Sequence, residues 1–243
     1  MPENTQLVSP PITEVACAFV FDRQLIDTMD FGVYWESKRD KYPTTQIHPA
    51  IVNVNSGFQV GGAIPLRSWL ISQDDSVVIQ LQSDRFVFNW RLRDGGGSYP
   101  GFNNWVLSHA LKEFHEFCDW ISIRTKSPVS LKRIELTKIN ELAKGDQYSS
   151  TAQLVEILSV ARVFSDIHTS DPQLLQLRLS ETHTEGAINL IVGINTESVR
   201  VETQCSSPVT VDPRKVFVAA NSRLNKVFFR LFKDGLHVFG GAQ

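Results

Sequence analysis

From Phe86 to Arg93 the chain alternates strictly between two kinds of side chain. Phe86, Phe88, Trp90 and Leu92 take one parity; Val87, Asn89, Arg91 and Arg93 take the other. A period of two places these sets on opposite faces of a strand, one against a core and one mostly polar. The same reading predicts strands over Val15–Phe21, apolar on both faces, over Ala50–Val60, closed by Gly61-Gly62, and over Ser68–Ser72 and Val77–Leu81. Helical spacing takes over elsewhere. Ile26, Met29 and Val33 form the apolar stripe of a helix within Arg23–Lys41, stopped by Tyr42-Pro43. Leu107, Leu111, Phe114, Cys118 and Ile121 form a second stripe, with Asn103 or Asn104 as its N-cap.

After Lys126-Ser127-Pro128 the order begins again. Val129–Asn140 reads as a strand and Thr151–Val163 as a helix with Leu154, Ile157, Leu158 and Ala161 on one face. Leu174–Thr182, Ala187–Asn195 and Val199–Gln204 read as three strands, the first two joined around Glu185-Gly186. The last helix opens at Asp212-Pro213 and carries Phe217, Ala220, Leu224, Val227 and Leu231. This pattern predicts an α+β protein of two similar strand-helix-strands-helix halves, residues 1–126 and 127–243, packed as one domain. Their strands would form an extended antiparallel sheet with helices on one face, an element order like that of the TATA-binding protein, which by itself implies nothing about DNA. The alternative architecture is two separate α/β sandwiches joined near Ser127-Pro128.

Composition narrows the field. The 243 residues are 42% hydrophobic and 21% charged, which suits a soluble globular chain with a substantial core. A net charge of −2 gives no global attraction to nucleic acid or anionic membrane. The longest apolar run, Val15–Phe21, is far too short for a bilayer span, and the polar start Met1–Gln6 is unlike a signal peptide. Cys17, Cys118 and Cys205 are odd in number, widely spaced and set in apolar segments, as buried thiols in a reducing cytoplasm would be.

Several motifs stand out: Pro10-Pro11-Ile12 with Glu14, the run Gln80-Leu81-Gln82, Asp84-Arg85-Phe86 and Phe88-Asn89-Trp90-Arg91, then Tyr99-Pro100, and Arg133-Ile134-Glu135-Leu136-Thr137 with Ile139-Asn140. Together they resemble a sporadically distributed family of uncharacterised prokaryotic proteins, with the densest match over the first 140 residues. Lys138-Ile139 departs from the family's pattern, which carries an aromatic there. The resemblance implies a bacterial, intracellular protein and an intact two-half unit. It supplies no catalytic residues.

Candidate chemistry is sparse. Glu135 and Lys138 are types used by metal-dependent nucleases, but a spacing of three sends them to opposite faces of a strand. His115, Glu116 and Asp119 share a helix, yet the position four after His115 is an aspartate where a metalloprotease needs histidine. His115 and Cys118 are three apart, with Cys118 on the apolar stripe. Gly95-Gly96-Gly97 between strand and helix lacks the lysine of a phosphate loop, leaving a nonspecific anion site with Arg91 and Arg93. No metal or other cofactor is predicted.

The polar sheet face is the remaining candidate surface. Alternation assigns it Gln80, Gln82, Asn89, Arg91 and Arg93 in the first half, and Gln176, Arg178, Arg200, Glu202 and Gln204 in the second. Arginine, asparagine and glutamine suit multidentate hydrogen bonding. The leading expectation is a non-enzymatic cytoplasmic protein that binds or regulates another protein, in a mobile-element, toxin–antitoxin or phage-defence setting. The second is nucleic-acid binding led by Arg91, Arg93, Arg178 and Arg200. The third is an unfamiliar enzyme using Asp84, Arg85, Asn89 and Arg91.

Overall fold

The computed structural model describes residues 7, 9–51, 66–94, 98–158, 174–184, 186–195, 197–232 and 236–240. Their strands are β1 (Ile12–Phe21), β2 (Thr44–Pro49), β3 (Leu66–Ile71), β4 (Val77–Gln82), β5 (Arg85–Arg91), β6 (Leu131–Ala143), β7 (Leu174–His183), β8 (Gly186–Asn195) and β9 (Ser198–Pro208). The helices are α1 (Thr28–Lys38), α2 (Leu107–Thr125), α3 (Thr151–Ile157) and α4 (Pro213–Leu231). All nine strands form one antiparallel sheet in the order β2-β3-β4-β5-β1-β6-β9-β8-β7. The fold is therefore α+β. The sheet runs unbroken through the β1–β6 pair, which rules out two sandwiches joined near Ser127-Pro128.

Register fixes the two faces. Val15, Cys17 and Phe19 oppose Trp90, Phe88 and Phe86 on one side, and Lys138, Leu136 and Ile134 on the other. This parity faces the helices. Phe19 stacks on Phe114 of α2 with ring centroids 3.9 Å apart, and meets Phe217 of α4 edge-on at 5.1 Å. One core cluster joins β1, β4 and β5 to α2 and the start of α4; a second joins β6, β8 and β9 to α3 and the end of α4. Burying this much aromatic and aliphatic surface is the main force holding helices to sheet.

The stripes of α2 and α4 lie where their spacing predicts, with Leu107, Leu111, Phe114, Ile121, Phe217, Ala220, Leu224 and Leu231 buried. Asp212 caps α4, its side chain accepting from the Arg214 amide at 2.9 Å. Three local expectations change. First, α1 turns the other way: Met29 and Val33 are exposed, whereas Asp30, Phe31 and Tyr34 are buried. The larger aromatic surface wins the core, with Tyr34 meeting Phe117 and Trp120 of α2 edge-on. Charge then pins the pair of helices, through Asp30 to Arg124 and Lys38 to Glu116. Second, Asn103 and Asn104 cap nothing. A π-helical turn over Phe102–Val106 feeds straight into α2, and Gly101 at φ 86° begins it. Third, β2 lies at Thr44–Pro49, ahead of the strand expected over Ala50–Val60, most of which falls outside the described residues. The end of the helix expected over Thr151–Val163 also falls outside them; α3 stops at Ile157.

Candidate binding face

The face away from the helices carries the other parity of every strand. Across β3, β4 and β5, Arg67 opposes Gln82, which opposes Arg85, and Trp69 opposes Gln80. Asn89 opposes Ala16 and Arg91 opposes Glu14 on β1. Across β6, β9 and β8, Thr137, Gln204 and Asn189 form one row, and Ile139, Glu202 and Ile191 the next. Gln80, Gln82, Asn89, Arg91, Arg178, Arg200, Glu202 and Gln204 thus share one face, as alternation along each strand requires.

Sharing a face does not leave them equally available. In the first half, Gln80, Gln82, Arg85 and Asn89 are buried. Arg85 gives Nε and Nη2 to the two oxygens of Asp84, each at 3.2 Å, and Nη1 to Glu135 at 3.2 Å. Glu135 takes a second guanidinium from Arg133 at 2.7 Å. Gln82 folds its amide onto the backbone of Ile51, accepting from the amide at 2.7 Å and donating to the carbonyl at 3.1 Å. Asn89 donates to Glu14. Arg91 and Arg93 both pair with Asp75, Arg93 at 2.7 Å. This part of the face is filled by long polar side chains that pair largely with one another.

The arginines lean against a single aromatic. Arg67 and Arg91 stand over the Trp69 ring, 5.4 and 5.5 Å from its centroid, and the His48 ring lies 4.1 Å from it. Burial holds both guanidiniums below the ordinary arginine range; Arg85 repels Arg67, and Arg93 repels Arg91. Arg67 Nε, Arg91 Nε, Trp69 Nε1 and Asn89 Oδ1 are buried without a hydrogen-bond partner. No pattern in the sequence marks Arg67 or Trp69, because only the pairing of β3 with β4 brings them beside Gln80 and Gln82.

The second half is different. Arg178, Ser180, Asn189, Ile191, Glu202 and Gln204 line an open depression of about 230 Å³. A hydrogen-bond ladder crosses its floor, from Ser180 Oγ to Asn189 Oδ1 at 2.7 Å and from Asn189 Nδ2 to Gln204 Oε1 at 3.1 Å. Gln176, Arg178 and Ser180 are exposed. Arg200 bonds Glu141 at 3.0 Å and approaches Glu202 at 3.7 Å. Arg178 has no ion pair among the described residues.

Other candidate residues scatter. Glu135 lies on the helix-free face and Lys138 on the helix-covered face, as their spacing requires. Lys138 is buried and donates to Asn225 Oδ1 of α4 at 2.7 Å, with Nζ 5.7 Å from the Phe102 ring centroid. Burial pushes its ammonium down to about 7, partly opposed by Cys17. His115 and Asp119 are exposed, while Glu116 is held by Lys38. No group of three or more histidine, cysteine, aspartate or glutamate side chains is placed to hold a metal among the described residues. Cys17 and Cys205 are buried and Cys118 half-buried; desolvation raises all three thiols, that of Cys118 to about 12. Asp84 and Arg85 join the Glu135 network, whereas Asn89 pairs with Glu14 and Arg91 with Asp75. Gly95-Gly96-Gly97 lies outside the described residues, and the arginines beside it are drawn to Asp75. No described helix is long and apolar enough to cross a membrane.

No family model matches the chain, and no curated protein sequence matches it significantly.

Proposed function

We propose that the protein is a non-enzymatic binding or regulatory protein that engages another protein through the helix-free face of β7, β8 and β9. The depression lined by Arg178, Ser180, Asn189, Glu202 and Gln204 carries this reading. It offers neutral donors and acceptors already aligned by the Ser180–Asn189–Gln204 ladder. One exposed guanidinium and one carboxylate accompany them, a mixed set suited to a polar protein surface. Nucleic-acid binding is the weaker reading. Of its four leading arginines, Arg91 and Arg93 are tied to Asp75 and Arg200 to Glu141, leaving Arg178 to meet phosphates.

The two-half reading, with units 1–126 and 127–243, has support in the strand order. Each half starts with a central strand, β1 or β6, that pairs with the last strand of its own half, β5 or β9. The analogy to the TATA-binding protein is one of element order alone. A bacterial, cytoplasmic setting in mobile elements, toxin–antitoxin pairs or phage defence follows from the motif resemblance and belongs to the same proposal.

The test is affinity purification of the tagged protein from its own cells, quantifying protein and nucleic acid, beside Arg178→Glu. A stoichiometric protein retained through ~0.5 M salt and lost with Arg178→Glu is the expected result. Nucleic acid alone, released steeply by salt, refutes the reading.

A further inference from the structure

The cluster around Trp69 combines features that its fold alone does not need. Arg67 Nη1 is held by Gln80 Oε1 at 2.9 Å and Arg91 Nη2 by Asp75, which leaves the Nε–H of each guanidinium unused. The Trp69 indole N–H is a third unused donor. Both guanidiniums lie over the Trp69 ring, their Cζ atoms 5.4 and 5.5 Å from its centroid, so the three donors belong to one stacked group. Native interiors rarely leave a buried donor unpaired, and three around one side chain call for a shared acceptor.

Charge points the same way. Arg67, Arg91 and Arg93 crowd this corner against two carboxylates: Asp75, which Arg91 and Arg93 share, and Glu14, which attracts Arg91 and accepts from Asn89. Arg67 has no acidic partner among the described residues. A cation missing its counter-ion beside unused N–H groups is complementary to an anion with several acceptor oxygens. Hydrogen bonds to Gln80 and Asp75 hold the guanidiniums in place before any ligand arrives, so little ordering remains to oppose binding.

We propose that Arg67, Trp69 and Arg91 form a binding site for an oxyanion, the phosphate or carboxylate group of a small ligand. The inference does not rest on the partner-binding reading, whose residues lie on β7, β8 and β9. The oxyanion accepts from the indole Nε1–H and from the two guanidinium Nε–H groups. Asp75 and Gln80 keep the outer nitrogens oriented. The site reads the group's charge and acceptor oxygens, not the rest of the ligand.

Isothermal titration of the full chain with inorganic phosphate and, separately, with acetate tests this, against sodium chloride at matched ionic strength. Saturable one-to-one binding of at least one oxyanion above the chloride control is the expected result. Tighter phosphate marks a phosphorylated ligand, and tighter acetate a carboxylate. Trp69→Phe keeps the aromatic platform and removes only the indole donor, so it weakens binding about tenfold, as loss of one hydrogen bond to a charged group should. Arg67→Gln weakens it at least as much, whereas Lys132→Gln, an exposed charge on β6, leaves it unchanged. Failure of both anions to saturate overturns the proposal. So does wild-type affinity in a folded Trp69→Phe, or an equal loss in Lys132→Gln, which would reveal diffuse charge attraction.

Discussion

Lys138 gives the sharpest test of how this sheet is covered. Its side chain enters the layer between β6 and α4, where Asn225 is its one hydrogen-bond partner and no carboxylate pairs with it among the described residues. Burial lowers its ammonium from an ordinary 10.5 to about 7. At about 1.4 kcal/mol per pH unit, that difference is worth about 5 kcal/mol between the charged and neutral forms. The unfolded chain binds the proton up to about pH 10.5 and the folded chain only up to about 7. Stability therefore rises with pH across this window, by up to ~1.4 kcal/mol per unit. The cost of the buried charge is full below pH 7 and gone above 10.5. Lys138→Met keeps the length and removes the charge. Asn225 is only half-buried, so its freed carbonyl can turn to water. The mutant should be more stable than the wild type by ~2–4 kcal/mol at pH 7, and the gap should close toward pH 10. Urea denaturation of both proteins at half-unit steps from pH 6 to 10 measures it. Taking the difference cancels Cys118 and Cys205, whose raised thiols pull stability the opposite way as pH rises; Cys17, which Lys138 itself acts on, is removed by running the pair in a Cys17→Ala background. A constant difference across the range would refute the reasoning, because it would mean that Lys138 keeps its charge in water.

Two further substitutions probe the sheet. Glu135→Gln removes a carboxylate shared by Arg85 and Arg133, leaving the buried Arg85 to Asp84 alone. It should cost about 3 kcal/mol in urea denaturation, and an unchanged midpoint would show the network to be solvent-screened. Gly186 sits at φ 132°, and a Cβ there would lie 1.9 Å from the Ser206 carbonyl oxygen. Gly186→Ala should therefore destabilise by at least ~2 kcal/mol and expose the β8–β9 amides to hydrogen exchange before the β1–β6 amides; uniform exchange would contradict it.

Alternation along single strands placed Gln80, Gln82, Asn89 and Arg91 on one face and separated Glu135 from Lys138, because successive side chains of any strand point opposite ways. The stripes of α2 and α4 were equally legible, since a wide apolar stripe at helical spacing has one energetically sensible orientation. On α1 the spacing of Met29 and Val33 competed with Phe31 and Tyr34, and the aromatic packing of α2 settled the contest. Strand order, with β1 beside both β5 and β6, depends on pairings between residues far apart in sequence, more than a hundred positions for β1 with β6, and leaves no local trace. The candidate site divides along the same line. Sequence named most of its residues. Tertiary structure decided that Arg85 and Asn89 are locked into internal pairs, that Arg178 stays free of ion pairs among the described residues, and that Arg67 and Trp69 belong beside Arg91. The side chain's face is set by its own backbone, but its cover and its partners are set by whichever strand or helix packs against it.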